Sequence, residues 1–399
     1  MKHVILLALV MAACGQEVSL ENRPCPCIRG WTCETGSNLC VRNGGPDPGA
    51  GDAGQDARSQ GQGLDASPEA QDAPSGQHGF TVAQIAVGDS TIEALHFSDD
   101  QHGFLAASDG GSRGLYVTAD GGATWQPREL DVAPYGVAAS PSVTTVLAAG
   151  SGTRAVWSSR DRGASFAPVP WTLGGWPAAL RFLDEQTVFM GDEVGDSVFR
   201  SADAGQTWSV HLFTREVLPG THHLEALGSR HAWIVGGPSS SRDGTGATIA
   251  YSSDAAQTWT IANLTDNAHL FKGGSLRGIA VVSPAEIWVA GVNRQVFHTT
   301  NGMATWTQIK GIPAEIQDFG GVAVRGNTIV LAGSSASSVY IVYRSTDGGA
   351  TFQIIDRRAS GGSEAADVHG VTQTSGGNLF VYGFGGRLWK YTGVMLGGS

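Results

Sequence analysis

The sequence predicts an all-β fold, a seven-bladed β-propeller closed by its own first strand, and three observations carry that prediction. An eight-residue pattern returns six times: TADGGATW at 118–125, SRDRGASF at 159–166, SADAGQTW at 201–208, SSDAAQTW at 252–259, TTNGMATW at 299–306 and STDGGATF at 345–352. The third residues of these copies stand at 120, 161, 203, 254, 301 and 347, so the spacing is 41 to 51 residues, the length of a four-stranded blade. The composition agrees: 57 glycines and only 15% charged residues among 399 favour short strands and tight turns over long helices.

The pattern suits the turn of a hairpin. An Asp side chain accepts hydrogen bonds from the N–H groups of the turn that it begins, and Gly supplies the positive φ. The aromatic residue five positions later folds back into the packing between sheets. Asp120, Asp161, Asp203, Asp254, Asn301 and Asp347 are therefore expected to serve their own turns, far from the central axis. Trp125, Phe166, Trp208, Trp259, Trp306 and Phe352 are expected to serve as packing. Asn301 still accepts the turn's hydrogen bonds, whereas Met303 in place of Gly predicts a distorted turn.

Each copy is preceded by strand signals. Residues 91–97, 103–108 and 114–118 lead into the first, 276–282, 286–291 and 295–299 into the fifth, and 319–324, 328–334 and 339–344 into the sixth. A seventh set, 368–373, 378–383 and 387–391, has no turn pattern and no fourth strand after it. The run FTVAQIAV at 80–87 is expected to supply that strand, which closes the ring and leaves no open sheet edge. A six-bladed ring is the rival count and leaves 368–391 without a role.

These turns are Asp boxes (BNR-like repeats), found in sialidase-like and related propeller families. The first blade goes further: Phe97, Asp99, Gly103, Phe104, Gly114, Tyr116 and Thr118 through Trp125 resemble the photosystem II assembly and stability factor family. That resemblance implies a non-catalytic seven-bladed propeller that binds a membrane-protein subunit during assembly. Sialidases add an Arg-Ile-Pro motif, and the nearest approach to it here is Arg181-Phe182-Leu183, on a blade strand. Glycoside hydrolysis needs two facing carboxyls. Glu93, Glu185, Glu193, Glu225, Glu286 and Asp367 are available, and the sequence does not set which of them face one another. The expectation is a binding scaffold with no catalytic residue, cofactor or metal. The alternative is a glycoside hydrolase or sialidase-like enzyme using channel carboxylates.

Ahead of the propeller, which spans 79–399, three segments differ in composition. Residues 1–13 read as a signal peptide with Lys2 before a short apolar run, and Met11-Ala12-Ala13-Cys14 resembles a bacterial lipobox. That implies lipidation of Cys14 and an outer-membrane lipoprotein, periplasmic or surface-exposed. The other reading is an ordinary secretory signal. In 14–42, Cys25, Cys27, Cys33 and Cys40 predict a small module with two disulfides in one of three connectivities; a four-Cys zinc site is the alternative. Residues 43–78, mostly Gly, Ala, Asp, Gln, Pro and Ser, are expected to be a disordered tether.

A net charge of −11 disfavours nucleic acid as a partner. A protein, or a glycan, is expected instead, bound by a monomer whose only membrane attachment is the lipid. Binding residues are expected where loops gather at one face: Tyr135, Trp171, Trp176, His222, His223, Arg294 and Arg357, with Arg242, Asp243, Asp318, Arg358 and Asp367 nearby. Trp171 and Trp176 flank the Gly174-Gly175 pair, and exposed aromatics suit sugar or peptide contacts. The adjacent His222 and His223 are expected to splay apart rather than to share a metal.

Overall fold

The computed structural model describes residues 31–34, 39–42, 81–86, 91–108, 113–131, 133–150, 156–193, 195–213, 220–237, 247–262, 274–335, 337, 339–359, 368–383 and 386–395. The chain divides into two units, Met1–Ser67 and Pro68–Ser399. In the first, strands Trp31–Glu34 and Leu39–Arg42 form an antiparallel hairpin whose register sets Cys33 opposite Cys40. The expected signal peptide (1–13), Cys14, Cys25, Cys27 and the expected tether (43–78) lie outside the described residues, as do the side chains of Cys33 and Cys40.

The second unit is all strand among the described residues and holds seven four-stranded antiparallel sheets. Each sheet runs in sequence order from an inner strand a to an outer strand d. The a strands are Thr91–Phe97, Pro134–Ala139, Pro177–Phe182, Thr221–Leu227, Leu276–Val281, Asp318–Arg325 and Val368–Gln373, in blades 1 to 7. Each packs on the a strand of the next blade, and that of blade 7 returns to that of blade 1. The seventh d strand is Thr81–Ala86, paired antiparallel with Arg387–Thr392 from Thr81 opposite Thr392 to Ala86 opposite Arg387. The ring therefore closes as expected, with the first strand of the propeller completing the last sheet.

Seven apolar clusters fill the fold, and each is shared by two neighbouring blades. At the closure Phe97 of blade 1 stacks on Phe380 of blade 7, ring centroids 4.4 Å apart. No blade buries its faces alone, so closure of the ring is what removes the last apolar face from water.

The six Asp boxes join strands c and d. In the first, Asp120 Oδ1 accepts from Thr118 Oγ1 (2.7 Å) and from the Thr124 amide (2.9 Å), and Oδ2 accepts from Thr124 Oγ1 (2.6 Å). The Thr118 hydroxyl in turn accepts from the Gly122 amide at 2.9 Å. These bonds to the charged form hold the carboxyls of Asp120, Asp254 and Asp347 down at about 2, and that of Asp161 lower still. The fifth box differs in chemistry, not in shape. Asn301 Oδ1 accepts from Thr299 and from the Thr305 amide, while its Nδ2 donates to Thr305 Oγ1 at 2.8 Å. Met303 does not distort the turn. It takes φ 72° and its amide still reaches Thr299 Oγ1, at 3.2 Å. The six box aromatics all pack between blades, but only Trp306 and Phe352 are fully buried.

Candidate functional site in the central channel

The site follows from one irregularity repeated seven times. Near its start every a strand carries a β-bulge against strand b, with register shifts at 92/94, 134/136, 177/180, 221/223, 276/278, 319/321 and 368/370. A bulge sets two successive residues against one on the partner strand, so two neighbours turn to the same side. Here that side is the axis. The first bulged residues form a ring around it: Glu93, Tyr135, Ala178, His222, Arg277, Gly320 and His369. Behind it stands a second ring: Ala94, Gly136, Ala179, His223, Gly278, Gly321 and Gly370.

The second ring is small for a steric reason. A Cβ on Gly136 would lie 1.5 Å from the carbonyl oxygen of Ala178 in the next blade, and one on Gly278 would lie 2.7 Å from Cα of Gly321. His223 alone is large at this level. His222 and His223, expected to splay apart rather than to share a metal, both line the channel wall, His222 toward Arg277 and His223 toward Arg181.

These rings surround a cavity of about 500 Å³, in the range of small-ligand sites. Its mouth is mixed in charge. Glu93 accepts a hydrogen bond from Ser108 Oγ at 2.6 Å and faces His369, with Nδ1 3.4 Å from the carboxylate. Lost hydration, and then the Glu93 charge, push the Glu193 carboxyl up. Asp318 accepts the Asn293 amide at 2.9 Å. His222 reaches the Gly237 carbonyl through Nε2 at 3.2 Å, and burial holds its pKa down.

Deeper in the channel stands Arg181, with His96, His223, Glu225 and Tyr382 in the reach of its charge. Burial, then the Arg181 charge, hold His96 and His223 at about 3, so both are neutral at physiological pH. Burial pushes Glu225 and Tyr382 up. No cluster of three His, Cys, Asp or Glu side chains able to hold a metal ion occurs among the described residues.

The structure thus brings together Tyr135, His222, His223 and Asp318 of the expected residues, and Glu93, Glu193 and Glu225 of the candidate carboxylates. It does not bring Trp171, Trp176, Arg294 or Arg357 into the cavity wall. Trp171 packs on Phe199 and Trp208, centroids 4.8 and 6.0 Å away, and donates from Nε1 to the Gly174 carbonyl. Trp176 is exposed on the approach to blade 3, and Arg294 donates to the Ile312 carbonyl in a turn beside the mouth. Arg357 lies on an outer strand and pairs with Glu315. Glu185 accepts from the Ser142 amide in the a–b turn of blade 2, and Glu286 pairs with His298 on strand c of blade 5. Arg242, Asp243 and Asp367 lie outside the described residues. Sequence reasoning missed Arg181, Arg277, His96 and His369 as channel residues. The signal was present: aligning the a strands on their central aliphatic residue, Leu95, Val137, Leu180, Leu224, Ile279, Val322 and Val371, puts each ring in one column.

Residues 77–221, the closing strand with blades 1 to 3, match the family described as photosynthesis system II assembly factor YCF48. Among solved structures, YCF48 bound to D1 peptide superposes with a TM-score of 0.58 at 21% identity, covering 81% of this chain and 98% of that one. YCF48 from Cyanidioschyzon merolae gives 0.58 at 16%, covering 78% and 98%. A streptogramin B lyase gives 0.58 at only 12%, covering 78% and 97%, so the same fold also carries an enzyme. No curated protein matches the chain in sequence. The chain is a seven-bladed propeller, and its residues 77–221 match the YCF48 family.

Proposed function

We propose that this YCF48-like propeller is a non-catalytic scaffold that receives a segment of a protein partner at the channel mouth, held to the cell envelope by lipid on Cys14. One observation carries the binding reading. Seven equivalent positions on a rigid ring present a carboxylate, a phenol, two imidazoles and a guanidinium, with Ala and Gly at the remaining two, around a cavity of about 500 Å³. Varied side chains on an invariant backbone suit recognition of an irregular polymer, since each contact is set separately. The solved YCF48 with a D1 peptide lends support, as a propeller of this kind that takes a peptide. The envelope tether is supported by the lipobox-like Met11-Ala12-Ala13-Cys14 and the Gly-, Asp- and Pro-rich stretch behind the cysteine module.

The test is retention of a pool of random N-acetylated decapeptides on the immobilised full chain, compared with a Tyr135→Ala, Arg277→Gln variant. The expected result is a sequence-selective subset held by the wild type and reduced about tenfold on the variant, with thermal unfolding unchanged. Equal retention on both places recognition elsewhere and overturns the reading.

A hydrolytic reading draws on Glu193, whose raised carboxyl beside Glu93 has the look of an acid–base pair. Glu93 is already engaged by Ser108 and His369, which favours a structural carboxylate over a free base. Turnover of any glycan by the wild type, abolished by Glu193→Gln, would replace the scaffold reading.

A further inference from the structure

We infer that Cys33 and Cys40 form a disulfide that staples the small N-terminal hairpin, which selects one of the three connectivities open to the four cysteines. The inference stands apart from the scaffold reading and from the lipid on Cys14. Strands Trp31–Glu34 and Leu39–Arg42 pair antiparallel, with Trp31 opposite Arg42, Thr32 opposite Val41, Cys33 opposite Cys40 and Glu34 opposite Leu39. Directly opposite residues of such a pair share one face of the ribbon, with Cα atoms about 4.5–5.5 Å apart. A disulfide spans Cα atoms about 4.4–6.8 Å apart, so this register meets its requirement without backbone movement. A slip of one residue would set Cys33 against Leu39 or Val41 and lose the juxtaposition.

The hairpin also needs a staple. Two strands of four residues each are marginal in water on their own. The large apolar residues of 14–42 are Val18, Leu20, Ile28, Trp31, Leu39 and Val41, too few to enclose a core. Segments of this size hold a fold through disulfides, a metal or a partner. A tie between the two strands fixes their register and closes the short connection at 35–38, which removes open conformations of the unfolded chain.

The bond forms by thiol–disulfide exchange with an oxidant that itself carries a disulfide, such as a thiol oxidase or glutathione disulfide. One cysteine thiolate attacks that disulfide, forms a mixed disulfide and releases the first oxidant sulfur. The second thiolate then attacks the mixed disulfide, closes the Cys33–Cys40 bond and releases the other sulfur. The two cysteine thiols are oxidised, the oxidant's disulfide is reduced to two thiols, and the two protons pass through water to the departing sulfurs. This pairing excludes the connectivities that join Cys33 or Cys40 to Cys25 or Cys27. A zinc ion fits the spacing less well: six residues separate Cys33 from Cys40, whereas paired zinc ligands are separated by roughly two to four.

Cleavage after Arg29 and Arg42 frees residues 30–42, which hold Cys33 and Cys40 and no other cysteine. The full chain is reduced, reoxidised in a glutathione redox buffer, alkylated at mildly acidic pH to trap free thiols, and cleaved after Arg without reduction. Mass spectrometry should find peptide 30–42 on its own, unalkylated and lighter by two hydrogens than its reduced form. Further cleavage after Glu34 should leave its two parts joined until reductant is added. Cys33→Ser should place a new alkylated thiol at Cys40, and Cys40→Ser should place it at Cys33. Peptide 30–42 linked to the peptide that carries Cys25 and Cys27 overturns the inference. So do two alkylated cysteines within 30–42, whether or not zinc accompanies the chain in elemental analysis. Retention of peptides by the propeller is read in a separate assay, so the scaffold reading stands or falls by itself.

Discussion

The outer turns and the inner rings of the propeller are both repeated once per blade, yet they repeat in opposite ways. The Asp boxes hold one chemistry six times, down to hydrogen bonds of 2.5 to 2.6 Å from the Thr or Ser hydroxyl to Asp Oδ2 in the five that keep Asp. The first channel ring holds one backbone geometry seven times with nearly as many chemistries: Glu93, Tyr135, Ala178, His222, Arg277, Gly320 and His369. A turn has to satisfy its own amides, and one residue type does that best. A bulged residue facing a channel has no such local task, so its identity is free to answer to what enters. Uniform positions therefore report folding, and varied positions on a uniform backbone report recognition.

The second ring breaks that contrast, because it is internal yet nearly uniform. Its uniformity is steric. The substitution expected to do most damage is Gly136→Ala, which sets a methyl 1.5 Å from the Ala178 carbonyl and forces blades 2 and 3 apart. We expect a loss on the order of 3 kcal/mol or more in chemical denaturation, since backbone cannot yield as a side chain does. His223→Ala, at the equivalent place in blade 4, should cost less than about 1 kcal/mol, because it removes a desolvated imidazole and adds no clash. If Gly136→Ala is as mild, the ring is not held by close backbone approach.

Acid should separate the two regions by pH. His96 and His223 have folded pKa values of about 3, below the ordinary 6.5, so the unfolded chain binds protons that the folded chain refuses. Their contribution is complete above pH 6.5 and is lost as pH falls from there toward 3, on the order of 1–3 kcal/mol per histidine by about pH 4. The Asp boxes have depressed carboxyls too, and their contribution also needs the charged form. It is lost only below the ordinary 3.8, toward about 2. Melting temperature should therefore fall in two stages. A His96→Gln, His223→Gln variant should flatten the first and leave the second; a first stage that persists in that variant would mean that groups other than the channel histidines set it.

What could be read from the sequence divides along the same line. The boxes were legible because they are local: Asp, Gly and an aromatic at fixed offsets describe a turn completely, and six of them fix the blades. The closing strand was legible because 368–391 lacked a partner and 80–87 lacked a sheet. The channel was not, because Glu93, Arg181 and His369 occupy strand positions that alternate like any solvent-facing side. Nothing within one blade says that the solvent face of strand a is the axis. Bulges also defeat strict alternation, so alternation along strand a does not reveal that His222 and His223 both line the channel. Trp171 was expected to be exposed beside a glycine pair, but the chain turns at Gly174, φ 69°, and Gly175, φ 78°, and packs the indole on Phe199.

The smallest effects test whether the boxes are as interchangeable as their geometry suggests. Asp203→Ala removes the acceptor of the Ser201 and Thr207 hydroxyls and of the Gln206 and Thr207 amides. Water reaches the Gln206 and Thr207 groups, which are exposed, though not the buried Ser201, so the cost should be only about 1–2 kcal/mol. Asn301→Asp runs the other way. It turns the Nδ2 donation to Thr305 into a charge-assisted acceptance like that at the other five boxes, and should stabilise by about 0.5 kcal/mol. Met303 sets the limit on that gain: its φ of 72° strains a side chain, and a carboxylate two residues earlier cannot relieve it. Met303→Gly added to Asn301→Asp should therefore stabilise further, by about 0.5–1 kcal/mol, with the two gains adding in thermal unfolding. A gain from Met303→Gly that vanishes once the carboxylate is present would show that one turn distortion, not two separate defects, sets the fifth box apart.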